Sequence, residues 1–182
     1  MRRKQALAAV LAGLVAVLGA VLALVLTMQP GETEDSVSPL PLSDYAAGEI
    51  DALEYTWQGE TVRLARLEDD SWAFADEPDV PVTQSLVNSM ATGLGALTAS
   101  RDLGEAENLE EYGLAEPSLV VTVTVGDSQY TYQFGDTNDV TDEVYLLCSG
   151  DGHLYTAGYT KASLFHYTAA DLVDTSASGG EG

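Results

Sequence analysis

Cysteine occurs once in the chain, at position 148, so no internal disulfide and no multi-cysteine zinc site can be assembled. Cys148 ends the apolar run Val144-Tyr145-Leu146-Leu147, where a buried, inert thiol is expected. Histidine occurs twice, and His153 and His166 fit no metal-ligand spacing. His153 is expected to be a solvated residue at a strand start, and His166 a structural residue on a helix. Basic residues are scarce, with 7 Lys+Arg against 29 Asp+Glu. Three of the seven are Arg2, Arg3 and Lys4, so past residue 30 only Arg63, Arg66, Arg101 and Lys161 stand against every acid in the chain. A field of that sign repels phosphates and anionic headgroups, which excludes nucleic acid and peripheral lipid as partners. The Gly-x-Ser-x-Gly elbow, the phosphate-cradling glycine loop and the dinucleotide fingerprint are all missing.

The charges missing from Ala6 to Met28 mark the first feature that is present: 23 consecutive residues, nearly all Ala, Leu, Val or Gly. At a rise of about 1.5 Å per residue the run is roughly 34 Å long, enough for the hydrocarbon core of a bilayer. It is longer than the apolar region of a signal peptide and no small-x-small cleavage site comes after it, so residues 6–28 are expected to be an uncleaved transmembrane anchor. Arg2, Arg3 and Lys4 then stay in the cytoplasm, and the chain beyond Pro30 lies on the extracytoplasmic side. Residues 1–29 thus read as basic stub plus anchor and residues 30–47, with Pro30, Pro39 and Pro41, as an extended linker. Residues 48–174 read as a folded domain, and 175–182 as a disordered tail.

Within the domain, Ile50 to Trp57, Thr61 to Leu67 and Trp72 to Phe74 are predicted strands separated by the Gln58-Gly59-Glu60 and Glu68-Asp69-Asp70-Ser71 turns. Thr83 is the expected N-cap of a helix whose stripe is Leu86, Met90, Leu94 and Leu97. A short helical turn over Asn108 to Tyr112, stopped by Gly113, leads to strands over Leu119 to Val125, Tyr130 to Phe134, Val144 to Cys148 and His153 to Ala157. Helix closes the chain from Thr160, Leu164 and Phe165 onward, with a capping box at Thr168-Ala169-Ala170-Asp171. The expected fold is α+β: mostly antiparallel sheet with helices on one face, built from two strand-then-helix units and preceded by one transmembrane helix.

Three strings carry a family resemblance. They are Asp70-Ser71-Trp72-Ala73-Phe74 with the helix after it; Leu109-Glu110-Glu111-Tyr112-Gly113-Leu114-Ala115-Glu116-Pro117; and Tyr132-Gln133-Phe134-Gly135-Asp136 succeeded by Glu143-Val144-Tyr145-Leu146-Leu147 and His153-Leu154-Tyr155-Thr156. In these the chain resembles the bacterial domain of unknown function 4340 family over nearly all of its exported part. The resemblance implies an N-terminal anchor, a domain outside the membrane, and a setting beside components of ABC-type transport systems. It implies no catalytic residue, because the family has no established activity.

Candidate sites are few. Asp136, Asn138, Asp139, Asp142 and Glu143 place five oxygen-bearing side chains in one eight-residue loop, the ligand type calcium accepts, but without the glycine and the twelfth-position Glu of an EF-hand. In so acidic a chain a solvated hairpin loop is the expected use, and no cofactor or metal is assigned. Tyr130, Tyr132, Tyr145 and Tyr155 fall on neighbouring predicted strands; they pack across the core or, if they share an exposed face, stack on a glycan or peptide. The leading functional expectation is a non-enzymatic, membrane-anchored interaction module, an accessory of a transport or envelope complex. A glycan- or peptide-binding surface protein is the alternative, and a carboxylate-based hydrolase the third. The non-enzyme reading predicts a shallow ligand surface edged by tyrosines, and no deep cleft holding two carboxylates at the roughly 5–10 Å of glycosidases.

Overall fold

The computed structural model describes residues 39–176. The anchor expected over 6–28 lies outside them, and no helix among the described residues is long and apolar enough to cross a membrane. The strands are β1 (Leu40–Pro41), β2 (Ala52–Trp57), β3 (Glu60–Arg66), β4 (Trp72–Phe74), β5 (Thr98–Ala99), β6 (Arg101–Glu105), β7 (Leu119–Val125), β8 (Ser128–Asn138), β9 (Glu143–Cys148) and β10 (His153–Gly158). The helices are α1 (Gln84–Gly95), α2 (Thr160–Ser163) and α3 (Ala169–Leu172), with 3-10 turns at Ala47–Glu49 and Leu109–Tyr112.

Eight strands form one sheet in the order β4-β3-β2-β7-β8-β9-β10-β6, every pairing antiparallel, and β1 pairs separately with β5. The strands that the sequence divides between two strand-then-helix units run together in this one sheet. The protein is therefore α+β, a mostly antiparallel sheet with a few helices.

Alternation decides which face is buried. Along β7, Leu119, Val121 and Val123 are buried while Val120, Thr122 and Thr124 between them are not. In register beside them lie Tyr55 and Leu53 of β2, Tyr132 and Phe134 of β8, and Leu146 of β9, giving one apolar face. Gln58 and Gly59, with φ 51° and 79°, make a two-residue loop of the left-handed kind that suits a twisted hairpin.

Helix α1 lays Val87, Met90, Ala91 and Leu94 on that face. Its buried stripe therefore runs through Val87 and Ala91 rather than through Leu86, which is half-buried, and Leu97 comes after the helix end. Thr83 precedes the helix but makes no side-chain cap. The closing helix is two short pieces, α2 and α3, and the Thr168–Asp171 capping box does start the second. Tyr55 Oη donates to the Tyr167 carbonyl at 2.7 Å and its ring meets Phe165 edge-on at 5.7 Å, tying the link between the pieces to the sheet.

Two stretches depart from the sequence reading. Residues 98–105 carry no alternation, yet form β5 and the sheet edge β6; Gly104, at φ 86°, breaks their pattern and the β6–β10 register shifts beside it. The expected linker up to residue 47 contributes its last part to the fold. β1 pairs with β5, Leu42 N–H donates to Leu97 O at 2.9 Å, and Tyr45 is buried. A lone aromatic among prolines and serines leaves no periodicity to reveal this packing.

Candidate functional site

The four tyrosines singled out in the sequence separate between the faces. Tyr130 and Tyr132 of β8 and Tyr155 of β10 lie on the core face, while Tyr145 of β9 points to the other, where its ring lies 4.8 Å from that of Tyr112. Tyr132 and Tyr155 are buried and Tyr130 is half-buried, its ring 4.8 Å from that of Tyr45. Cross-strand packing is therefore the principal use of these rings, and only three of the four come together.

Those three line a cleft of about 340 Å³. One wall is the leading segment Pro41-Leu42-Ser43-Asp44, and the other is the β9–β10 turn Ser149-Gly150-Asp151, with Thr131 and Cys148 between. Tyr45 Oη and Tyr132 Oη share a buried hydrogen bond of 2.9 Å, and Tyr132 Oη also reaches the Leu42 carbonyl at 3.4 Å, so the wall is pinned to the sheet. Tyr155 Oη donates to Asp151 Oδ2 at 2.7 Å. Two exposed carboxylates, Asp44 and Asp151, stand in this cleft. Among the described residues no Lys, Arg or His lines it.

Protons in the cleft are held tightly. Burial pushes the Tyr45 phenol up to about 12, although its bond to Tyr132 acts the other way. Burial raises Tyr132 further, helped by the bond to Tyr45, and raises Tyr155, helped by Asp151. Burial also pushes the Cys148 thiol up to about 12, as its apolar strand predicts. Tyr130 is raised by desolvation and by its hydrogen bond with Asp44.

The remaining candidates lie elsewhere. The acidic loop does not close around a point: Glu143 accepts from Arg101 Nη2 at 2.5 Å, and Asn138 Oδ1 accepts from Val140 N–H at 3.0 Å. Burial pushes the Glu143 carboxyl up, but hydrogen bonds from Arg101, Ser100 and Thr141 outweigh it and hold it below its usual range. Asp136 lies beside Gly113, and Asp139 and Asp142 are exposed. Among the described residues no three His, Cys, Asp or Glu side chains are grouped to hold a metal ion. His153 Nδ1 lies 3.1 Å from Asp102 Oδ2 on the neighbouring β6, a hydrogen bond that raises the histidine; the aspartate is lowered by the Gly104 N–H and then by His153. His166 sits between α2 and α3 rather than on a helix, stacked on Trp57 at 5.0 Å and 10°, and burial lowers it.

Asp44, Tyr45 and Asp151 are the site residues that sequence reasoning missed. Tyr45 is the only aromatic between the apolar run and Ile50, and that isolation was the available signal.

Sheet, helices and cleft define an α+β domain with a tyrosine-lined acidic cleft. The family described as a domain of unknown function (DUF4340) matches residues 72–177, and the chain belongs to it. No curated protein and no solved structure matches the chain.

Proposed function

We propose that this protein is a membrane-anchored interaction module that presents the tyrosine-lined cleft on the extracytoplasmic side and binds a cationic segment of a membrane or envelope partner there. The supporting observation is the make-up of the cleft: Asp44 and Asp151 exposed, no cation among the described residues that line it, and the half-buried ring of Tyr130 beside them. The anchor reading rests on the apolar run Ala6 to Met28 and its Arg2-Arg3-Lys4 flank. Components of an ABC-type transport assembly are the partners that the family resemblance favours.

Binding is preferred over catalysis on the chemistry of the side chains that line the cleft. Its phenols and thiol are pushed upward by burial, and its two carboxylates are exposed rather than set in the apolar pocket that makes a carboxyl a general acid. The glycan-binding alternative needs a ring face open to a sugar, and of the three cleft tyrosines only Tyr130 is more than marginally exposed.

Co-purification of the full-length protein from mild detergent tests this reading. A membrane partner should be retained by the native chain and lost at least tenfold in the Asp44→Asn, Asp151→Asn double variant. Equal recovery with both proteins, or turnover of a substrate that the double variant abolishes, would refute it.

A further inference from the structure

At one edge of the sheet, β4 stops short of its neighbour. It pairs with β3 through Leu64–Phe74, Ala65–Ala73 and Arg66–Trp72, and one more bond, from Ala75 N–H to Arg63 O at 3.0 Å, ends the pairing. The chain then turns away through Asp76-Glu77-Pro78. Backbone bonds along β3 alternate in side. Arg66 N–H donates toward β2, to Asp51 O at 2.8 Å, whereas Leu67 N–H and Arg63 O bond toward β4. The same alternation points the N–H and C=O of Thr61 away from β2. The side chain agrees, because Thr61 Oγ1 meets Thr56 Oγ1 at 2.8 Å, the close approach of a pair that shares no backbone bonds. No described residue pairs with Thr61 on the outer side.

The same edge is closed at its other end. The Gln84 side-chain amide accepts from Trp72 N–H and donates to Trp72 C=O, both at 2.8 Å, and so occupies the place of a further strand. Beside the open end lies a groove of about 350 Å³ whose apolar surface comes from Val62, Phe74, Val80, Ala169, Ala170 and Val173. Asp76 and Glu77 rim it, both exposed. Among the described residues its one cation is Arg63, already committed to Glu54 at 2.6 Å and Asp76 at 3.4 Å.

We propose that this truncated edge docks a short extended segment of a partner protein. One residue of the segment bonds to Thr61 through its backbone, the next places an apolar side chain in the groove, and a flanking Lys or Arg faces Asp76 and Glu77. Alternation requires this division: the residue opposite Thr61 shares its outward face, and the neighbouring side chain falls on the core face where Val62 lies. Charge selects the occupant. A second copy of so acidic a chain would bring like charge to the rim, and residues 177–182, Ala-Ser-Gly-Gly-Glu-Gly, offer an acid and no large apolar side chain. The proposal does not rest on the tyrosine cleft, which is lined by different residues.

The test is fluorescence anisotropy with the full chain in detergent and labelled acetyl-Lys-Thr-Ile-Thr-Lys-amide as probe. Saturable binding is expected, weakened at least tenfold when both Lys are replaced by Glu, and at least tenfold when Ile is replaced by Ser. Ala170→Trp, which fills the groove from an exposed helix position, should abolish binding. Glu77→Lys, a change on an exposed side chain with no demand on folding, should weaken it several-fold and keeps the test decisive if Ala170→Trp folds poorly. Absence of saturable binding, equal affinity for the Glu-flanked peptide, or undiminished binding to Glu77→Lys would overturn the proposal.

Discussion

The backbone carbonyl of Tyr112 lies so close against Gly135 that a Cβ at position 135 would have no room. This contact joins two strings that stand apart in the sequence, Tyr112-Gly113-Leu114 at the end of a 3-10 turn and Phe134-Gly135-Asp136 in β8. Gly113 takes the left-handed conformation at φ 67° that ends the turn, and a Cβ there would meet Asp136 Oδ1 at 2.5 Å. The β8–β9 register shifts between Phe134 and Thr137, so β8 bends where the turn is received. Ser118 Oγ then donates to the Phe134 carbonyl at 3.1 Å and holds the chain as it enters β7.

Gly135→Ala should therefore destabilise the fold by about 3 kcal/mol, the upper part of the range for forcing a methyl into packed structure, because the obstructing atom is backbone and cannot rotate away. Urea unfolding of the full chain in detergent, monitored by tryptophan fluorescence, measures this. A change below about 0.5 kcal/mol, the size of an ordinary surface substitution, would show that the contact is readily relaxed.

Strands with period-two patterning were legible in the sequence because burial on one face forces it. The run Leu119 to Val125 states its own register, and Gln58-Gly59 states its turn. The edge strand β6 was not legible: most of its residues are exposed, so nothing constrains their alternation. The cleft was legible in part. Tyr130, Tyr132 and Tyr155 were singled out as strand tyrosines, but their meeting with Asp44 depends on a nonlocal pairing of two residues, β1 with β5, that leaves no local pattern. Strand proximity alone groups Tyr145 with them, and parity places it on the opposite face.

The acidic loop yields a prediction about metal. Asp136, Asn138, Asp139, Asp142 and Glu143 have the chemistry of calcium ligands, yet binding would have to take Glu143 from Arg101 and Asn138 from the Val140 N–H. Excess EDTA or millimolar calcium should leave the melting temperature of the full chain within about 1 °C, since a ligand stabilises only as far as it binds the folded state. A calcium-dependent rise of several degrees would show that the loop rearranges into a site.

The two histidines should titrate on opposite sides of their ordinary value of 6.5. His153 is raised by its hydrogen bond to Asp102 and then by the charge of that carboxylate, so the folded protein binds this proton more tightly than the unfolded chain. Its contribution to stability is fully present below 6.5 and is lost as pH rises through its folded midpoint. His166 is lowered by burial, so its contribution is present above 6.5 and is lost as pH falls through its folded midpoint. Ring-proton NMR across pH 4–9 on the detergent-solubilised chain, in steps of about half a unit around the ordinary histidine range, resolves the two. Asp102→Asn should bring the His153 midpoint down and leave His166 unmoved. Trp57→Ala, which uncovers the imidazole it stacks on, should raise the His166 midpoint toward 6.5 and leave His153 unmoved. Coincident midpoints in the native protein would contradict both placements, because an exposed imidazole paired with a carboxylate and an imidazole covered by an indole cannot share one proton affinity.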